Sequence, residues 1–172
     1  YEPQRAAASH SLGVDVIICP DNAAVVAILD RLIAWRSRKG FDVTLVTTAT
    51  TGATPESIKA WIQNAYTTWD DPPEYITLVG DVSGAIALPC WYETYSSYHG
   101  ETDHPYVQLD GGDLLADAHI GRISVDSADR LRLYVEKIVS YESTPYMGDT
   151  SWYERACIVG DASTSGYTCI QS

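Results

Sequence analysis

Five carboxylates set the first chemical question. Asp110, Asp113 and Asp117 stand three and four residues apart in DGGDLLAD, Asp103 lies just upstream in TDHPY, and Asp81 ends the apolar run YITLVGD. Carboxylates this dense repel one another unless water, backbone N–H groups or a cation compensates. The glycines Gly111 and Gly112 permit a tight turn in which side-chain and carbonyl oxygens could converge. Calcium accepts six to eight such oxygens. The spacing is not that of an EF-hand loop, and a solvated acidic turn explains the same residues.

Other constellations are weaker. Cys90 and His99 share one loop, but nothing around them lowers a thiol pKa as a nucleophilic dyad requires. His104 and His119 have no partner at helical i, i+4 spacing. VGDVSG and VGDAST each follow an apolar run, yet neither is a phosphate-binding glycine loop, and no GxSxG elbow occurs. Cys19, Cys90, Cys157 and Cys169 form no CxxC pair. Cys19 and Cys157 sit in apolar strand patterns and read as small buried hydrophobes. A Cys90–Cys169 disulfide is left open by the spacing.

The elements that must position these residues alternate strand and helix. Val14–Cys19 is an apolar strand, followed by Asp21 or Asn22 as N-cap of a helix over about Ala23 to Lys39. Arg36, Arg38 and Lys39 suit its last turn, and Gly40 suits the residue after it. Phe41–Thr47 reads as a second strand. Thr54 with Pro55 opens a second long helix with Ile58, Trp61, Ile62, Ala65 and Tyr66 on one face. Tyr75–Val79 is the third strand. An aromatic loop follows to Glu101. Pro105–Leu109 and Ala118–Ile123 read as strands of a small hairpin insertion near 105–123. Asp126 caps a helix from about Ser127 to Tyr141, and Ala156–Gly160 is a last strand. This pattern predicts an α/β fold, a mainly parallel sheet flanked by helices in right-handed βαβ units.

The chain has 172 residues, mean hydropathy of -0.12 and net charge of -12. One domain of this size can bury a proper core. The charge offers too few cations for nucleic acid. No apolar run is long enough for a membrane span. The expected organisation is an extension over 1–13, an α/β unit over 14–161, and the start of a further segment over 162–172, where the chain reads as stopping before another helix.

WRSRKGFDVTLVTTA, IKAWIQNAYTTWDDPPEYITLVGD, TDHPYVQLDGGDLLADAHIGRIS and VEKIVSYE together resemble the gingipain-type cysteine peptidases. The resemblance implies a caspase-like α/β subdomain, the first of two side by side. The family's catalytic histidine and cysteine belong to GHG-like and ACxNG-like segments of the second subdomain, and neither segment occurs here. It further implies structural calcium, held by the side chains of Asp81, Asp113 and Asp117 and the carbonyls of Asp110 and Leu115. The expected function is therefore the N-terminal, calcium-stabilised part of a secreted or cell-surface endopeptidase, inactive alone. Its partners would be the C-terminal catalytic subdomain and, for the parent enzyme, protein or peptide substrates. The alternative is a non-catalytic binding or scaffold module using the aromatic loop Trp91–Tyr98. A flavodoxin- or receiver-like domain with Asp81 as phosphoacceptor is a third reading, but it lacks the acidic pair at the first strand and the late lysine.

Overall fold

The computed structural model describes residues 11–95 and 98–156. The chain divides after Val139 into two compact units. The first is built on four parallel strands: β1 (Val14–Cys19), β2 (Asp42–Thr47), β3 (Pro73–Val79) and β6 (His119–Ile123). Their order is β2-β1-β3-β6. An antiparallel pair, β4 (Trp91–Tyr95) and β5 (Tyr98–Thr102), forms a separate two-stranded sheet.

Helix α1 (Ala23–Lys39) carries the chain from β1 out to β2. A single turn, α2 (Thr48–Thr51), and helix α3 (Pro55–Thr68) carry it back past β1 to β3. Right-handed crossovers made in opposite directions along a sheet leave their helices on opposite faces. The core divides accordingly. Ile17 and Val79 pack with Val25, Leu29 and Leu32 of α1 and with Leu131 and Val135 of α4 (Ala128–Ser143). Val16, Ile18, Ile76 and Leu78 pack with Ile58 and Ile62 of α3 and with Tyr106 and Val107. All six residues of β1, covered on both sides, are buried.

Local signals explain the helix ends. Asn22 Oδ1 accepts from Ala24 N (2.9 Å) and Val25 N (3.3 Å). Gly40 closes α1 at φ 103°, a left-handed conformation that a side chain disfavours, and donates to Arg36 and Ser37 carbonyls. Thr54 and Ser57 form a reciprocal capping box, with Pro55 at the helix start.

Two sequence expectations are corrected. Pro105–Leu109 is not a strand: His104–Val107 is a 3-10 helix, because Pro105 lacks the N–H a ladder needs and its fixed φ suits a helical first turn. The hairpin expected near 105–123 lies instead at β4–β5, in the aromatic stretch, and β6 joins the main sheet beside β3. The strand expected at Ala156–Gly160 and the segments at 1–10 and 162–172 fall outside the described residues, apart from Ala156. In the second unit, Trp152 stacks on Tyr153 at 3.8 Å between centroids and meets Tyr141 at 5.3 Å. Among the described residues no helix is long and apolar enough to cross a membrane.

Candidate functional site

In open parallel sheets, ligand-facing loops leave the C-terminal strand ends. Here that edge is organised around Arg122, a lone cation in the strand HIGRI. Its Nε and Nη2 donate to the two Asp103 oxygens at 2.8 and 2.7 Å. Nη1 donates to the carbonyls of Gly80 (2.9 Å) and Leu88 (2.8 Å), and Nη2 also to Pro89 (2.9 Å). All five N–H donors of the guanidinium are thereby used. Burial works against the charge, but the Asp103 hydrogen bonds outweigh it and raise the guanidinium pKa. Tyr106 adds a bond from its hydroxyl to Pro89 O at 2.8 Å. The loop after β3, the base of the β4–β5 hairpin and the 3-10 helix are fastened to one side chain.

Asp81 belongs to the same edge. Its backbone N–H donates to Val125 O at 2.9 Å, and its carbonyl accepts from Leu88 N at 2.8 Å. Its Oδ1 accepts from Val82 N (2.9 Å) and Ser124 Oγ (3.0 Å). Gly80 before it has φ 123°, and a Cβ there would collide with the Ile86 carbonyl. The bend that aims Asp81 therefore requires glycine.

The acidic loop is closed at its base. Asp117 N donates to Val107 O at 2.8 Å, while Asp117 Oδ2 accepts from Leu109 N (2.6 Å) and Asp110 N (2.8 Å). The Asp110 and Leu109 N–H groups hold the Asp117 carboxyl below the usual carboxylate range. Gln63 of α3 donates to Leu109 O at 2.6 Å. Asp110 Oδ1 accepts from Gly111 N and Asp113 Oδ1 from Leu115 N, each at 2.9 Å. His104 Nε2 donates to the Leu114 carbonyl at 2.8 Å.

The residues named for calcium are thus placed in two groups. Asp110, Asp113, Leu115 and Asp117 share one loop; Asp81 bonds to Val82, Ser124 and Val125 instead. The parallel register Tyr75↔His119 through Val79↔Ile123 sets Asp81, after β3, and Asp117, before β6, at opposite ends of the strand pair. The four paired residue steps alone, at roughly 3.3 Å each, put more than about 13 Å between them. Ligands of one calcium ion each lie about 2.3–2.6 Å from it. Among the described residues, no three His, Cys, Asp or Glu side chains stand close enough to hold a metal. What fits a hard cation is the donor chemistry of the loop: Asp110, Asp113 and Asp117 each use one oxygen on backbone N–H groups and keep the other without a hydrogen bond among the described residues.

Cys157 and Cys169 lie outside the described residues, and the two described thiols are poor nucleophiles. Cys19 is buried at the end of β1, and burial, with Asp21 adding to it, pushes its pKa up to about 11. Cys90 is buried too; burial first, then Glu101, raises its pKa. Both are free thiols. His99 pairs with Thr94 across the hairpin and bonds to Thr94 Oγ1 at 2.7 Å. It therefore stands four strand positions from Cys90, about 13 Å of rise. Its ring stacks on Tyr92, itself 58% exposed, at 5.6 Å.

Sequence reasoning missed the Asp103–Arg122 pair as an organising feature. A readable signal was the arginine set among Ile120, Gly121 and Ile123 in a short strand.

The profile of peptidase family C25 matches residues 10–171. Lys-gingipain of Porphyromonas gingivalis is 30% identical over 138 residues, 76% of this chain but 7% of that protein. A solved protease structure superposes with a TM-score of 0.68 at 25% identity, covering 84% of this chain and 31% of the other. The crystal structure of the Arg-specific cysteine proteinase gingipain R gives a TM-score of 0.63 at 19% identity, covering 82% of this chain and 30% of the other. The chain spans less than a tenth of the curated relative and about a third of these solved chains.

Proposed function

Since this chain belongs to peptidase family C25, we propose that it is the N-terminal, calcium-stabilised subdomain of a secreted, gingipain-like cysteine endopeptidase. The catalytic cysteine and histidine then lie in a C-terminal subdomain outside these residues, and the chain alone does not hydrolyse peptides. The observation that carries this reading is the state of the described thiols. Cys19 and Cys90 are both buried, and burial raises both thiol pKa values, whereas cysteine catalysis runs through an accessible thiolate. The test is to replace the cysteines of this chain in the intact protein and measure hydrolysis. Activity that survives supports the reading, and activity that needs one of them defeats it.

In this reading the C-terminal subdomain is the chain's main partner, and peptides or proteins are substrates of the whole enzyme. The edge fastened by Arg122 is the support it offers to that subdomain, in keeping with loops at the C-terminal strand ends carrying function.

Calcium is assigned to the 110–117 loop, with the Asp113 and Asp117 side chains and the Asp110 and Leu115 carbonyls as ligands. Asp81, held by Ser124 at the other end of β3, lies too far along the strand to share that ion. An ion in the loop would screen Asp110, Asp113 and Asp117 from one another. Calcium at a hundred times its Kd stabilises by about 2.7 kcal/mol, enough to raise the melting temperature by several degrees. The expected result is such a rise on adding calcium to chelator-treated protein, with Asp113→Ala removing most of it. Identical melting curves with calcium and with EGTA, starting from metal-loaded protein, would refute the assignment.

A further inference from the structure

The four-stranded sheet has an outer edge at β2, which among the described residues has β1 as its only strand neighbour. Burial follows that position: β1 is buried throughout, while β2 is half-buried from Val43 to Thr47 and exposed at Asp42. The direction of its free hydrogen-bonding groups can be read from one bond. Asp42 N donates inward to Gly13 O at 3.1 Å. Alternate residues of a parallel strand point their N–H and C=O to opposite sides. Thr44 and Val46 therefore face β1 with Asp42, and Val43, Leu45 and Thr47 present theirs outward.

Edges of this kind are normally blunted by lysine, proline, a bulge or an inward charge. DVTLVT has no lysine or proline, its pairing with β1 is regular from Val14↔Asp42 to Cys19↔Thr47, and four of its six residues are β-branched. The segment also complements itself. Pairing two copies antiparallel about Leu45 sets Val43 against Thr47, Thr44 against Val46 and Leu45 against Leu45, with no like charges opposed. Val43 and Leu45 pack on the α1 side of the sheet, so the half-exposed Leu45 pair would extend that core across the axis. The charges agree with the same two-fold. Helix α1 ends in Arg38 and Lys39 beside the start of β2, Arg36 in the same turn being taken by Asp15, and Asp21 accepts from Thr47 Oγ1 (3.4 Å) at its end. The axis turns the basic end of one copy towards the Asp21 end of the other.

We propose that β2 is a self-association edge. Two copies of this chain join their β2 strands antiparallel, with Leu45 on the two-fold, into one continuous eight-stranded sheet.

The test uses the intact protein at roughly 10–100 μM, in light scattering or sedimentation. The expected mass is twice that of one chain. Leu45→Lys should return it to a single mass, because two like charges then oppose one another across the axis, while Leu45→Thr keeps the doubled mass. The register has its own test. Directly opposed residues in a hydrogen-bonded antiparallel pair have Cα atoms about 5.5 Å apart, within disulfide reach, whereas diagonal positions lie at about 7–8 Å. Leu45→Cys should therefore cross-link between chains under oxidation, and Thr44→Cys should not, relative to the parent cysteines. A single mass for the unaltered protein, a doubled mass that survives Leu45→Lys, or equal cross-linking at the two positions would overturn the proposal.

Discussion

Arg122→Ala should cost about 3–5 kcal/mol of folding stability, a large part of what a domain of this size has. Arg122 is 11% exposed and Asp103 22%. Removing the guanidinium leaves the Asp103 carboxylate without its forked partner, and it strips hydrogen bonds from the carbonyls of Gly80, Leu88 and Pro89 together. Such groups cost more unpaired than they return when paired. Arg122→Lys keeps a charge but supplies three donors on a point ammonium in place of a planar five-donor fork. It should recover only part of the loss. Equilibrium urea unfolding measures both variants. A loss below about 1 kcal/mol for Arg122→Ala would show that the edge is held by something else.

Arg36→Ala should produce a comparable loss by the same mechanism at the other end of the sheet. Asp15 in β1 is 1% exposed. Its Oδ2 accepts from Arg36 Nε at 2.8 Å and lies 2.7 Å from Nη2, and its Oδ1 accepts from Thr77 Oγ1 at 3.1 Å. The guanidinium also lies over the Phe41 ring, 4.1 Å from the centroid. Without it a carboxylate stays in the core facing one hydroxyl. Breaking a buried pair from one side costs about 3–5 kcal/mol, whereas replacing both partners with apolar residues of similar size is often close to neutral. The expected outcome is a severe loss for Arg36→Ala and a much smaller one for Asp15→Leu with Arg36→Met. If the double variant is as damaged as the single one, the loss comes from packing and not from the stranded charge.

These two arginines also show where sequence reading succeeds and stops. Helices α1 and α3 were legible because their signals are local: Asn22 as a cap, Gly40 as a left-handed end, Thr54-Pro55 as a start. The parallel sheet followed from the alternation of strands with helices of crossover length. The hairpin was not legible. Its Trp91–Tyr95 and Tyr98–Thr102 strands carry tyrosine, threonine and glutamate on a two-stranded ribbon, with no continuous apolar face to set a period. Pro105–Leu109 misled in the opposite way, since PYVQL has strand-like composition and Pro105 decides the local geometry. The candidate site was legible as composition and not as arrangement. The sequence shows five aspartates, but only the register of β3 with β6 separates Asp81 from Asp117. Arg36 and Arg122 find their partners 21 and 19 residues away, distances over which no sequence periodicity operates.

In the proposed function this chain supports a cysteine peptidase's chemistry without supplying its nucleophile. The most direct measurement is kcat/KM for peptide hydrolysis by the intact protein, with Cys19, Cys90, Cys157 and Cys169 each replaced by alanine in turn and each variant confirmed as folded. Every variant should stay within about ten-fold of the parent, a change of about 1.4 kcal/mol or less in transition-state stabilisation. A folded variant that loses activity by about ten-thousand-fold or more would contradict it, because that is the scale on which removing an attacking nucleophile acts.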